Sequence, residues 1–356
     1  VSAQFEIGPT LACPACGVPL VERAQALLCD RCGGRYPVGG GIPRFNPDGF
    51  YWGEIPRSQM RAIVERARTG GWEPALRELL APGRPDLYDY VTDPGRADWR
   101  HYLPLDDSAD VLDLGAGWGS LTALLAPRCR SVTAVEGVEE RMRFLDLRCR
   151  QQGLANVVRV RSDLLHLPFL AGSFDVVVMN GVLEWVACAD LGPPPEVVQR
   201  RFLRRIRRLL RPGGALYLGI ENRTGYQLWL GLRDHSGLPF TSLLPRPVAN
   251  VVTRLVAAGG KRGPYRTYTY TYWGYRRLLR GCGFDEVDVY APLPGYNTPR
   301  YLAPLDRGAP LRFLLRHVAR PVHARRLAAV AGHLPLTAAR LLVSSFAVFA
   351  RVGPPC

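Results

Sequence analysis

The stretch Val111-Leu-Asp-Leu-Gly-Ala-Gly-Trp-Gly-Ser120 decides the fold. An apolar run delivers a carboxylate at Asp113, and glycines at 115, 117 and 119 let the backbone turn tightly beside a ligand. The next apolar segment, from Ser131 to Val135, closes on Glu136. A strand, a glycine-rich turn and an acid after the second strand form the pattern that admits a nucleotide-like cofactor. The glycines allow close approach, and the acid accepts ribose hydroxyls.

Working outward, the chain alternates strand and helix from residue 109, which predicts a parallel sheet covered on both faces. The expected strands are 111–114, 131–135, 157–160, 174–179 and 215–220. Helices are expected over 120–126, 139–150 and 197–210, and residues 278–289 read as a helix, a turn and a closing strand. Arginines at 200, 201, 204, 205, 207, 208 and 211 alternate with Phe202, Leu203, Ile206, Leu209 and Leu210. That spacing predicts a helix packed on the sheet with a solvated basic face.

The glycine turn alone does not separate a nicotinamide enzyme from a methyltransferase. Three further signatures follow in order: Arg161-Ser-Asp163-Leu-Leu-His-Leu-Pro-Phe169, Ser173-Phe-Asp-Val-Val-Val-Met-Asn-Gly-Val-Leu-Glu-Trp185, and Leu209-Leu-Arg-Pro-Gly-Gly-Ala-Leu216. Together they resemble the class I S-adenosylmethionine-dependent methyltransferases over roughly residues 99 to 290. The resemblance implies an α/β fold with a Rossmann-like seven-stranded methyltransferase sheet and S-adenosyl-L-methionine as cofactor. It places Asp113, Gly115, Ala116, Gly117 and Gly119 around the methionine part and Glu136 on the ribose. Asp163 and Leu164 would meet the adenine, and Asn180 would border the sulfonium. Turn, strand-end and cap roles remain open for Asp113, Glu136 and Asp163 respectively. Trp118 packs against the connector or shapes the cofactor pocket.

Cys13-Pro-Ala-Cys16 and Cys29-Asp-Arg-Cys32 are two Cys-x2-Cys pairs twelve residues apart. Four thiolates at this spacing suit tetrahedral zinc, with Gly17 and Gly33 after the second cysteines for the turns. The stretch also resembles Trm112-like zinc ribbons, through Leu27-Leu28-Cys29, Tyr36-Pro-Val and Gly41-Ile-Pro-Arg-Phe45. All four ligands are then protein sulfur, so the metal is expected to be structural. The remaining five of the nine cysteines read as small buried residues in a reducing, cytoplasmic setting. The first twenty residues lack a basic start followed by an apolar run, so no secretory signal is expected there.

The expected organisation is a ribbon over 1–50, a helical connector over 51–98, a methyltransferase domain over 99–305, and a basic helical extension over 306–356. Gly70-Gly71 breaks the connector. Its aromatic cluster, Tyr88, Tyr90, Trp99 and Tyr102, reads as ordinary packing or as a pocket cap. The net charge is +15, and 47% apolar residues exclude a disordered chain. The ribbon is neutral, whereas residues 311–356 carry seven arginines and no acid.

Acceptor-side residues are sought in an insertion spanning about 221–275. His235 is the candidate general base, because imidazole titrates near neutrality. Glu184 or Glu221 is the candidate to orient it, and His166 is a weaker base candidate. Tyr268, Tyr270 and Tyr272 alternate, which predicts an extended strand with a tyrosine face. The segments Gly219-Ile-Glu-Asn-Arg, Asp234-His-Ser-Gly-Leu-Pro-Phe and Pro294-Gly-Tyr-Asn-Thr-Pro resemble a subgroup of bacterial methyltransferases. That subgroup is associated with cell-envelope saccharides and secondary metabolites, including antibiotic biosynthesis.

The expected acceptor is therefore a small molecule, saccharide or secondary metabolite, methylated on oxygen. A ribosomal RNA methyltransferase and a non-catalytic docking protein are the alternatives. The neutral ribbon and the tyrosine-rich insertion weigh against nucleic acid, and the intact glycine loop weighs against an idle scaffold. The apolar run from Leu341 to Ala350 is expected to be helical. It would cap its own domain, mediate a homodimer or lie peripherally on the inner membrane face.

Overall fold

The computed structural model describes residues 9–47, 49–257, 265–317 and 334–354. The stretch 318–333 of the expected carboxyl-terminal extension lies outside the described residues. The chain divides into two compact units. One comprises Val1–Val178, Arg208–Ala215 and Pro354–Cys356; the other comprises Met179–Arg207 and Leu216–Gly353.

Strands β1 (Val21–Arg23), β2 (Ala26–Leu28), β3 (Arg35–Gly39) and β4 (Ile42–Pro43) form an antiparallel sheet in sequential order. Helices α1 (Arg57–Gly70), α2 (Trp72–Leu79) and α3 (Pro85–Thr92) follow, then a 3-10 stretch, Pro94–Tyr102. The break between α1 and α2 falls at Gly71, whose φ of 94° is costly for a residue with a side chain. Met60, Ile63 and Ala67 of α1 and Ala75 and Leu76 of α2 bury into one cluster with Trp118 and Phe144. The connector is thereby built onto the glycine loop. Tyr88 and Tyr90 pack against that cluster and Trp99 is buried, which is the packing role; Tyr102 is exposed.

Beyond the connector come β5 (Asp110–Leu114), α4 (Ser120–Leu125), β6 (Ser131–Glu136), α5 (Glu139–Gln151), β7 (Val157–Arg161) and β8 (Phe174–Asn180). They are followed by α6 (Pro195–Leu209), β9 (Leu210–Glu221), α7 (Tyr226–Trp229), α8 (Arg246–Ala257) and α9 (Tyr272–Arg280). The described chain closes with β10 (Glu286–Leu293), β11 (Tyr301–Pro304), α10 (Gly308–His317), α11 (Leu336–Leu342) and β12 (Ser345–Arg351). Eight strands hydrogen-bond in the order β11-β10-β12-β9-β8-β5-β6-β7. The ladders β5–β6 and β6–β7 are parallel, and β10 runs antiparallel to both β11 and β12. As expected of α6, Phe202, Leu203, Ile206 and Leu209 are buried while Arg201, Arg204 and Arg208 are exposed.

Three expectations are corrected. The sheet has eight strands rather than seven, because Tyr301–Pro304 adds an edge strand against β10. Helices α10 and α11 lie in the expected helical extension, but its apolar run is not helical to Ala350: Ser345–Arg351 is a strand between β10 and β9. Phe346, Ala347, Val348 and Ala350 are fully buried, and an apolar run covered on both faces has no alternation to betray a strand. The tyrosine run is not a regular strand either. Thr271 accepts a hydrogen bond from Gly274 N at 3.3 Å and starts α9, so Tyr272 sits in the helix with its side chain buried. Among the described residues, no helix is long and apolar enough to cross a membrane.

The strand assignment makes a direct prediction. Phe346→Ala should lower the unfolding free energy by about 3–5 kcal/mol in denaturant titration, the usual cost of emptying a buried phenylalanine site. A surface helix would make the change nearly neutral, within about 0.5 kcal/mol.

Candidate active site

The residues expected on the donor side belong to the first unit, except Asn180, which belongs to the second. Where β5 ends, Gly115 N and Ala116 N both donate to Val135 O at 3.0 Å, which folds the glycine turn back onto β6. Gly115, Gly117 and Gly119 have φ of 68°, 56° and 73°. At Gly119 a Cβ would lie 2.9 Å from Leu145 Cγ, so α5 approaches too closely for a side chain there. Glu136 is the last residue of β6 and is buried. Its Oε2 accepts from Gly117 N at 2.9 Å and its Oε1 from Val138 N at 2.7 Å. Each carboxylate oxygen keeps a further lone pair, so the group has the capacity to accept two hydroxyls.

Asp113 is buried at 2% exposure, and Thr122 Oγ1 donates to its Oδ2 at 2.6 Å. Burial pushes its carboxyl up to about 6, against the lowering pull of Thr122 and of the Arg96 charge. Asp163 closes a local turn: its Oδ1 accepts from Leu165 N at 2.8 Å and from His166 N at 2.9 Å. His166 Nδ1 lies 3.0 Å from both carboxylate oxygens and is exposed, with Leu164 inside the turn. Trp118 packs edge-on against Phe144 at 5.3 Å, and its Nε1 donates to Glu54 Oε2 at 3.3 Å.

The segment 161–169 that carries Asp163 is held at both ends by residues flanking the amino-terminal sheet. Ala12 N donates to Pro168 O, and Phe45 N donates to Arg161 O, each at 2.8 Å. Asn46 Nδ2 donates to Gly137 O at 2.9 Å, and Phe50, half exposed, lies beside the same glycine. Sequence reading missed this strap, because its partners are about a hundred positions away and no local pattern marks them. In the amino-terminal sheet the sulfurs of Cys13, Cys16, Cys29 and Cys32 all lie within 4.8 Å of one another. Two matching turns present them: Gly17 N donates to Cys13 O at 2.8 Å and Gly33 N to Cys29 O at 2.9 Å. Four converging sulfurs are the donor set that zinc takes.

Acceptor-side candidates belong to the second unit. Asn180 ends β8 and Glu221 ends β9, so both lie at carboxyl ends of strands. Glu184 follows β8 at 1% exposure. Side-chain ligand atoms of Glu184, Glu221 and His235 all lie within 4.8 Å of one another. His235 Nε2 is 3.5 Å from Glu221 Oε1, and Trp185 packs edge-on against the imidazole at 4.7 Å. Tyr296 Oη donates to Glu221 Oε1 at 2.9 Å, a member of the cluster that sequence reading did not identify. Asp234 turns away, accepting from Ser236 N at 2.8 Å and Ser242 N at 2.6 Å. Asn180 Nδ2 reaches Asn297 Oδ1 at 3.4 Å.

Burial and the neighbouring Glu221 push the Glu184 carboxyl well above the usual range. Burial would raise Glu221 as well, but hydrogen bonding and charge from His235, with the Tyr296 hydroxyl, lower it overall. Burial would lower His235, and the Glu221 carboxylate more than offsets it, so the imidazole is raised.

Residues 112–218 match the family model described as a methyltransferase domain. Over 114 residues the chain is 34% identical to chondramide synthase of Chondromyces crocatus, covering 31% of this chain and 3% of that protein. It is also 34% identical over 114 residues to the ubiquinone biosynthesis O-methyltransferase of Caulobacter vibrioides, covering 32% of this chain and 41% of that one. The chain thus spans less than half the length of these curated relatives. Among solved structures, a Haemonchus contortus phosphoethanolamine N-methyltransferase aligns with 14% identity and a TM-score of 0.45, over 85% of this chain and 62% of that chain. Residues 112–218 are therefore similar to methyltransferase domains, and the glycine turn and Glu136 lie inside the matched segment.

Asp113 provides a pH test. Its folded carboxyl titrates near 6 against an ordinary value of 3.8, so the folded state favours the protonated form. Below about pH 4 the group is protonated in both states and costs nothing; as pH rises through 6, stability is lost. The stability of Asp113→Asn relative to the parent should therefore improve by about 2 kcal/mol between pH 4 and pH 7 in denaturant titrations. A difference that does not change with pH would contradict the buried ionisation.

Proposed function

We propose that the chain is a methyltransferase that moves the methyl group of S-adenosylmethionine to an oxygen of a small-molecule, saccharide or secondary-metabolite acceptor. The observation that carries this reading is Glu136, buried at the end of β6 and held by the amides of Gly117 and Val138 beside a glycine turn. A rigid carboxylate with spare lone pairs suits the two hydroxyls of a ribose. Asp113 and residues 115–119 take the methionine end of the donor. Asp163, with Leu164, takes the adenine edge, using acceptor capacity beyond its turn-closing bonds. The O-methyltransferase among the relatives favours oxygen as the nucleophile and a small acceptor.

The bound sulfonium supplies a methyl carbon open to attack. The chain's own work is to hold the donor by its ribose, to exclude water, and to receive the acceptor's proton. In the second unit, Asn180 borders the sulfonium, and the Glu184, Glu221 and His235 group receives the proton as the acceptor oxygen bonds to carbon. The electron pair of the broken carbon–sulfur bond stays with sulfur.

We also propose that Cys13, Cys16, Cys29 and Cys32 bind a structural zinc ion. Zinc has no open position there, so its task is to fold the small sheet whose flanking residues hold 161–169.

Two measurements check these proposals. Calorimetry should show S-adenosylhomocysteine binding to the full chain, weakened about 10- to 100-fold by Glu136→Ala, as loss of charge-assisted hydrogen bonds implies. Parent-like affinity in that variant would remove Glu136 from the site. Elemental analysis should show Cys29→Ser losing one equivalent of zinc relative to the parent, with weaker S-adenosylhomocysteine binding as the strap loosens. Unchanged zinc content would refute the ribbon assignment.

A further inference from the structure

Glu184 is a buried ionisable side chain of the second unit. It is 1% exposed, and both carboxylate oxygens lack a hydrogen-bond partner among the described residues. A buried carboxylate without a donor is strongly unfavourable and needs either a proton or a cation. Glu221 Oε2, also buried, has no hydrogen-bond partner among the described residues, although Tyr296 satisfies Oε1. His235 completes a group of two oxygen ligands and one nitrogen ligand, all within 4.8 Å of one another.

We propose that Glu184, Glu221 and His235 form a second metal site, which takes a divalent cation of the Mn2+ or Mg2+ class and presents it to the acceptor oxygen. The proposal rests on reading this cluster as the acceptor side of the enzyme. With both carboxylates ionised and the imidazole neutral, a divalent ion balances the charge of the group.

The donor set, rich in carboxylate oxygen with one imidazole, suits Mn2+ and Mg2+ better than a thiophilic metal. Ligand atoms around such an ion lie about 3–4 Å apart for bonds near 2.1 Å. The present ligand atoms, within 4.8 Å of one another, lie close to that spacing. Three protein ligands leave coordination positions for water and for an acceptor hydroxyl; the cation raises that hydroxyl's acidity, and its proton passes to the carboxylate oxygen of Glu184 that does not ligate the ion. Tyr296, donating to Glu221 Oε1, would fix the carboxylate so that its other oxygen faces the ion.

The test is an MnCl2 titration of the full chain with its zinc retained, read by the loss of the free Mn2+ electron paramagnetic resonance signal. S-adenosylhomocysteine binding is measured on the same samples. The parent should bind one Mn2+ per chain, and both Glu184→Gln and His235→Ala should weaken it at least tenfold while S-adenosylhomocysteine binding stays at the parent level. His235 is partly exposed, so its variant keeps the test valid if the core change at Glu184 impairs folding. A parent that binds S-adenosylhomocysteine but no Mn2+ overturns the metal site and leaves the donor reading standing. Folded variants that bind Mn2+ as tightly as the parent overturn it too. If S-adenosylhomocysteine fails to bind, the donor reading falls, and the Mn2+ result still decides the metal site.

Discussion

The carboxylate of Glu136, fixed between Gly117 N and Val138 N, is the interaction on which the donor side depends. It ties the glycine turn after β5 to the end of β6, and both strands must be in parallel register for it to form. The turn reaches that carboxylate only because three glycines take positive φ and because α5 packs against the bare Cα of Gly119. Sequence, backbone conformation and ligand chemistry converge there on one carboxylate with spare acceptor capacity.

Much of the first unit is arranged around that turn. The connector helices bury Trp118, the one bulky residue within the glycine run, in their own core, so the loop is anchored from outside the sheet. Residues flanking the amino-terminal sheet hold both ends of the Asp163 segment and reach Gly137 through Asn46. A structural metal in the ribbon would therefore act on donor binding at a distance, through backbone hydrogen bonds rather than through chemistry. The second unit carries a different kind of constraint. Glu184 is buried beside another carboxylate, an arrangement that costs stability and that packing alone does not require.

What the sequence revealed follows the range of the interactions involved. The glycine turn, β5 to β8 and the arginine-faced α6 were legible because their patterns are local. The break at Gly70-Gly71 was legible for the same reason. β12 was misread because a strand buried on both faces carries no period-2 signal. The tyrosine alternation misled because a single threonine cap at Thr271 outweighs it. Glu184, Glu221 and His235 could be named from the sequence, but the burial of Glu184 depends on tertiary packing, and Tyr296 meets Glu221 across 75 positions of chain. The grip of residues 12 and 45 on the 161–169 segment had no sequence signal at all.

The central claim, that the Glu136 turn is a donor cradle, is tested most directly by amide hydrogen exchange with and without S-adenosylhomocysteine. The account predicts that ligand slows exchange most at residues 115–119, 136–138 and 163–166, with smaller effects in the amino-terminal sheet. Unchanged exchange at Gly117 and Val138 in a sample saturated with ligand would contradict it.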